Sequence, residues 1–418
     1  MQVGITLKNY IKGGKMGGMV VVGGGQAGYS IVSMLRQSGF SGEIELVCEE
    51  DSLPYQRPPL SKRFLIGDFE EERLLFRQER FYIDNNISVR KAVKAVSIDR
   101  TRCKVLLDDK TEINYEKLFL ATGAKPVKFP HNPNMENERI FYVRSLNDVK
   151  VIRKHFTEKQ RLLIIGGGYI GLEVAAAARQ KKLSVTVVEA QKRVLQRVAS
   201  QQTAKFFRLL HQKNGVRIVE GTGVESLALK TPAIRVILGS GQIFDCDIVV
   251  VGIGISPNTD LAKAAGLKVE NGIIVDEFCR TSDQKIFAAG DCTNFPNRGD
   301  RLRLESVGHA LDQGETAALN SLGIVKKYQA KPWFWSDQYK TKLQIAGLST
   351  GYNDIVERKN DKGVSFWYYK NKKLVAVDSI DDARAYMIGK KLIEDGNSPE
   401  MSLISNKNTD LRSLLTKS

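Results

Sequence analysis

Two glycine patterns carry the chemistry that this sequence is best equipped to do. Gly23, Gly25 and Gly28 form G-x-G-x-x-G, and Gly166, Gly168 and Gly171 form it a second time. In each, the first glycine permits a tight turn, the second lets the backbone approach a pyrophosphate, and the third lets a helix pack on a strand. Glu49 and Glu189 fall about 20 residues beyond their respective motifs, where a carboxylate can accept from a ribose hydroxyl. Two such motifs in one chain imply two dinucleotides, which is what an enzyme needs to pass hydride between a nicotinamide and a flavin.

These residues work only on the right elements. MVVV at 19–22 precedes the first motif as a buried strand, a helix follows, and a second strand ends near Glu49. RLLII at 161–165, the second motif, a helix and SVTVVE at 184–189 repeat the unit, the apolar run fitting a strand buried on both faces of a parallel sheet. Strand, turn, helix and terminal acid together separate a nucleotide site from a glycine-rich turn. A third motif, IFAAGDC at 286–292, sets a strand before Gly290 and Asp291, and LFLATGA and IVVVGIGISPN add further strand-to-loop turns. VSFWYYKNKKLVAVDSI near the C-terminus alternates as two strands joined at Asn371-Lys372, whereas 395–418 is polar and patternless.

The chain has 418 residues, enough for two or three domains. No apolar run approaches a transmembrane length, and nothing near the N-terminus has the core of a secretory signal. Residues 1–18 read as a flexible leader, with Met16 or Met19 as alternative starts. Five scattered cysteines without a CxxC pair exclude a dithiol centre or zinc site, give no spacing for an iron–sulfur cluster of the chain's own, and fit a reducing cytoplasm. The net charge of +16 can attract nucleic acid, an anionic membrane or an acidic protein, or simply be solvated surface.

Directly after the first unit lies LPYQRPPLSKRFL, residues 53–65, stiff with proline and rich in cations. Flavoprotein disulfide reductases place two redox cysteines here, and this chain has none. The histidine such enzymes use for protons at the thiol is missing too, since the last histidine, His309, reads as a packing residue in a helix. With PYQRPPLSK, LATGAKP, IIGGGYIGLEVAAAA, AAGDC and PWFWSDQY in view, the chain resembles the FAD-dependent ferredoxin reductases of oxygenase systems, the family of putidaredoxin reductase and the biphenyl dioxygenase reductase. Cys48 stands where that pattern has glycine, and Lys340 where relatives often carry an acid.

The resemblance implies an α/β fold of two Rossmann-like dinucleotide-binding domains plus a C-terminal α+β domain. FAD would take 19–126 and 253–329, a discontinuous domain, NAD would take 127–252, and 330–418 would form the third. It places Ala27, Glu49, Lys62, Ala95, Arg144, Asp291 and Val307 on FAD, with Arg57 near its phosphates and the Val307 N–H at a helix start near the N1/O2 end of the isoalloxazine. Gly166, Gly168, Ile170, Gly171 and Glu189 would bind NADH. Lys62 and Glu173, in the first turn of the second motif's helix, would sit at the flavin as a charged pair that tunes it and orients the nicotinamide. Glu189 favours NADH by repelling a 2′-phosphate, while Lys192 and Arg193 leave room for NADPH. Electrons would pass to a separate, small, acidic [2Fe-2S] ferredoxin and on to a terminal oxygenase. Rubredoxin reduction, NADH oxidation and a DNA-binding flavoprotein of the apoptosis-inducing-factor type are the competing readings.

Overall fold

The computed structural model describes residues 18–130, 139–230 and 232–415. The expected leader, Gly18 apart, lies outside the described residues. Two five-stranded parallel sheets dominate the chain, each built around one glycine motif. In the first, the spatial order is Ile286–Ala288, Lys117–Leu120, Met19–Val22, Ile44–Val47 and Ile87–Arg90. In the second it is Arg217–Glu220, Ser184–Glu189, Arg161–Ile165, Ile248–Val251 and Ile140–Tyr142. The central strands MVVV and RLLII are buried but for Arg161, as strands covered on both faces must be.

The late strand Ile286–Ala288 pairs with Lys117–Leu120 at the edge of the first sheet, so that sheet draws on two distant stretches of chain. The helix Val307–Ser321 closes over it and packs on the first motif's helix, Gln26–Gln37, where Ser30 Oγ donates to the Leu311 carbonyl at 2.7 Å. The chain leaves for the second sheet and returns through a short antiparallel pair, Ala124–Pro126 with Ile255–Pro257, locked by reciprocal bonds between Thr122 and Asn258.

The C-terminal stretch folds as a five-stranded antiparallel sheet, ordered Trp333–Gln338, Thr341–Gly347, Lys373–Ile380, Val364–Lys370 and Asp354–Lys359, with the helix Ala383–Glu394 against it. The expected hairpin turns at Asn371 and Lys372, both in the left-handed region at φ 50° and 63°. The patternless end is held by one buried cation together with the apolar side chains of Ile404, Leu411 and Leu414, which pack against the sheet and its helix. Arg358 donates to the carbonyls of Ile404, Asn406, Lys407 and Thr409, gathering a segment whose own sequence shows no periodicity.

Candidate functional site

The two motifs are built alike at their three glycines. Gly23 and Gly166 both hold positive φ, at 119° and 106°. A Cβ on Gly28 would stand 1.9 Å from the Gly23 carbonyl oxygen, and one on Gly171 would stand 2.2 Å from that of Gly166. Around the middle glycines, Gly25 and Gly168, there is open space in which a Cβ would meet nothing within 4 Å. These middle glycines are also the N-caps of their helices, and neither helix has a side-chain cap. The other described helices of eight or more residues are capped by Ser145, Ser200, Ser306 or Asp382. The N–H groups and positive dipole ends of the two motif helices are thus left to an anionic ligand, and each cradle fits a dinucleotide pyrophosphate.

The acids after the two motifs differ. Gly23 N–H donates to Val47 O and Gly166 N–H to Val188 O, so the register sets Cys48, not Glu49, at the station of Glu189. Glu189 turns back to its loop, accepting from Gly167 N–H and Gln191 N–H at 2.7 Å each. Glu49, one residue beyond Cys48, is exposed and paired with Lys94 at 2.7 Å. Arg193, expected to leave room for NADPH, spends its guanidinium on the carbonyls of Val194, Ala199 and Ser200. Only Lys192 of that pair is left facing solvent.

The proline-rich loop folds as a 3₁₀ turn, Pro58–Ser61, the prolines pre-setting φ where no N–H is needed. It is tied at both ends. Arg57 bonds Glu50 at 2.6 Å, the Tyr55 hydroxyl at 3.0 Å and the Arg144 carbonyl at 2.8 Å, while Tyr55 accepts from Leu146 N–H at 2.9 Å. Burial opposes ionisation of Glu50, but Arg57 and hydrogen bonds from Tyr55 and the Leu146 N–H outweigh it and hold the carboxyl below its usual range. Glu50 and Tyr55 were not expected at the site, and the doublet Glu49-Glu50 was the available signal.

The loop delivers Lys62 to Glu173, Nζ to Oε2 at 2.8 Å. Ser61 Oγ donates to the same oxygen at 2.5 Å and Ser336 Oγ to the other at 2.6 Å. Glu173 is 2% exposed. The helix begins at Tyr169, which puts Glu173 in its second turn rather than the first, because the glycine motif supplies the helix's opening residues.

Around the first cradle, Ala27 is the helix's second residue and Ala95 a buried strand start beyond Val93, whose N–H donates to Cys48 O. Arg144 lies 3.8 Å from Asp291. Burial lowers the Arg144 pKa, with Arg57 repelling it further, and burial raises that of Asp291. Two neighbouring guanidiniums in a partly buried cleft again suit phosphate. Val307 starts its helix as expected. Ile170 is 45% exposed beside the second cradle, an apolar surface for a ligand. His309 bonds Tyr328 and the Gly290 carbonyl, and burial pushes its pKa down to about 4, a neutral packing residue.

Comparison with known proteins agrees. Residues 18–314 match the pyridine nucleotide-disulphide oxidoreductase model and 333–415 the reductase C-terminal model. Rhodocoxin reductase of Rhodococcus erythropolis is 41% identical over 380 residues, covering 90% of this chain and 89% of that one. The covalent putidaredoxin reductase–putidaredoxin complex matches at TM-score 0.91 and 36% identity, over 96% of this chain and 98% of that one. The ferredoxin reductase for the CYP199A2 system of Rhodopseudomonas palustris matches at 0.92 and 38%, over 96% and 100%. All five cysteines are free and none lies in the 53–65 loop. With its paired cradles, its thiol-free loop and its C-terminal sheet, the chain belongs to the pyridine nucleotide-disulphide oxidoreductase family, in the group of ferredoxin reductases that includes putidaredoxin reductase.

Proposed function

We propose that this protein is an NADH-dependent ferredoxin reductase that draws electrons through FAD to a small acidic [2Fe-2S] protein serving an oxygenase, and that it works in a reducing cytoplasm. No helix among the described residues is long and apolar enough to cross a membrane. The first sheet, with the returning stretch, is the FAD domain, and the inserted sheet is the NADH domain. The observation that carries the reading is the Lys62–Glu173 pair. It joins the loop of one cradle to the helix of the other, so the two nucleotide sites meet at the contact between a partly buried ammonium and a buried carboxylate.

FAD, when bound, accepts two electrons with a hydride and releases them singly. The chain's own residues do the rest. Gly25 and Gly168 leave room for the pyrophosphates, and the uncapped helix starts bind them. Arg57 and Arg144 would neutralise phosphate, and Asp291 would hydrogen-bond the ribityl chain or a phosphate. The Val307 N–H stabilises negative charge at its helix start. Lys62 and Glu173 orient the nicotinamide.

The test is anaerobic titration with NADH, then a panel of ferredoxins and rubredoxin with cytochrome c as reporter. Reduction of a ferredoxin in preference to rubredoxin supports the reading, and preference for rubredoxin selects the competing one. Glu189→Ala is expected to narrow the NADH/NADPH ratio of kcat/KM by ~10-fold, since a carboxylate there accepts from a 2′-OH and repels a 2′-phosphate. An unchanged ratio rejects the assignment. Turnover with an acidic ferredoxin should fall several-fold between low and moderate salt, because the net charge of +16 steers docking. A flat salt profile would count against it.

A further inference from the structure

One oxygen of Glu173 serves Lys62 and Ser61. The other begins a line of hydrogen bonds into the C-terminal sheet. Ser336 Oγ lies 2.6 Å from Glu173 Oε1, Gln338 Nε2 3.0 Å from Ser336 Oγ, His211 Nε2 2.8 Å from Gln338 Oε1, and the Tyr339 hydroxyl 3.1 Å from His211 Nδ1. Ser336 and Gln338 stand on the strand Trp333–Gln338, Tyr339 on its turn, and His211 on the helix Gln201–Lys213 of the inserted unit. Ser336, Gln338 and His211 are each 0% exposed.

The direction of every bond is set by its far end. An ionised carboxylate only accepts, so the Ser336 hydroxyl donates to it. Ser336 then takes an N–H of Gln338, which turns the amide oxygen to His211. That oxygen only accepts, so His211 must carry its proton on Nε2, leaving Nδ1 to accept from Tyr339. Burial pushes the imidazole pKa down to about 4, so it stays neutral. Four donors aligned head to tail polarise one another in a dry interior and aim their positive ends at Glu173.

We propose that His211 and Gln338 are positioning residues which, through Ser336, hold the Glu173 carboxylate in place against Lys62. The inference rests on the reading of that pair as the edge of the flavin site. It makes correct seating of the C-terminal sheet a condition for that pair's geometry. A neighbouring contact on the same seam supplies the control. Thr203 and Tyr368 both bond Asp378 and do not touch Glu173.

The test uses FAD-loaded Ser336→Ala, His211→Phe, their double variant, Tyr368→Phe and Glu173→Gln. Flavin reduction is followed by stopped flow at saturating NADH, and 15N NMR reads the four histidines. Ser336→Ala and His211→Phe should each slow reduction by about 10-fold with the Kd for NADH changed less than about twofold, a misplaced rather than a missing group. The double variant should be no slower than the slower single, since both act through one line. Tyr368→Phe should reduce at the wild-type rate, and His211 should show the neutral Nε2–H form, unchanged between pH 5.5 and 9. If His211→Phe does not fold, Gln338→Met carries the same test. Additive losses, an equal loss in Tyr368→Phe, or a proton on Nδ1 would overturn the inference. Should Glu173→Gln reduce normally, the reading of the pair falls and the inference with it. Should Glu173→Gln be slow while Ser336→Ala and His211→Phe are not, only the inference falls.

Discussion

Lys62→Met is expected to slow flavin reduction by NADH by ~10²-fold, the scale of losing one preorganised charged group at a reacting centre. FAD content should fall far less than the rate, because the Lys62 ammonium, bonded among the described residues to Glu173 and the Pro58 carbonyl, stands apart from the phosphate cradle that holds most of the cofactor. The same change strands a carboxylate whose side chain is 1% exposed. Breaking a buried pair from one side costs about 3–5 kcal/mol, and the bonds from Ser61 and Ser336 place this case near the lower end. Adding Glu173→Leu removes the stranded charge, so Lys62→Met/Glu173→Leu should regain most of the stability and none of the rate. Stopped flow and urea unfolding of the FAD-loaded variants separate the two. A double variant that recovered the rate, or a single one within twofold of wild type, would remove the pair from the chemistry.

The second large effect concerns the glycines that meet carbonyls. Gly28→Ala puts a Cβ 1.9 Å from the Gly23 oxygen, and Gly171→Ala puts one 2.2 Å from that of Gly166. Both obstacles are backbone, so the helix itself must shift, and its N-terminus leaves the phosphate it was aimed at. Gly28→Ala should therefore be purified without FAD. Gly171→Ala should keep FAD and accept electrons from dithionite, yet lose NADH reduction by ~10²-fold or more. Gly168→Ala sharpens the result, because its Cβ meets no protein atom. It should fold with wild-type stability and still raise KM for NADH at least ~10-fold, since the only thing left to collide with is the coenzyme. If Gly168→Ala bound NADH normally, the second cradle would not be the coenzyme site.

Much of this was legible in the sequence because glycine chemistry is local. A motif residue declares its role through neighbours a few positions away, and both cradles follow from spacing. The resemblance likewise paired Lys62 with Glu173, which lie 2.8 Å apart, though the helix start shifts Glu173 by a turn. What local pattern could not supply was register and distant partnership. Cys48 rather than Glu49 takes the station of Glu189 because that station lies 20 positions past the third glycine in the first unit and 18 past it in the second. Ser61 and Ser336 meet Glu173 only after separations of 112 and 163 residues, and a serine carries no spacing signal. Arg358 is similar. Its four carbonyl partners are anonymous in sequence, and they organise a terminus that reads as polar coil.

The two sheets also differ in when they can exist. Every strand of the inserted sheet lies between Ile140 and Val251, so a growing chain can finish it as soon as that stretch leaves the ribosome. The outer sheet is begun first and finished last, since its edge strand is Ile286–Ala288 and its covering helix ends at Ser321. At roughly 5–20 residues per second, the strands laid down by Leu120 wait on the order of ten seconds or more for their partner. During that interval the Lys117–Leu120 edge is open to other chains. Biogenesis of the holoprotein should therefore proceed from the inside outward, with the inserted unit a completed scaffold before the first nucleotide pocket closes around it.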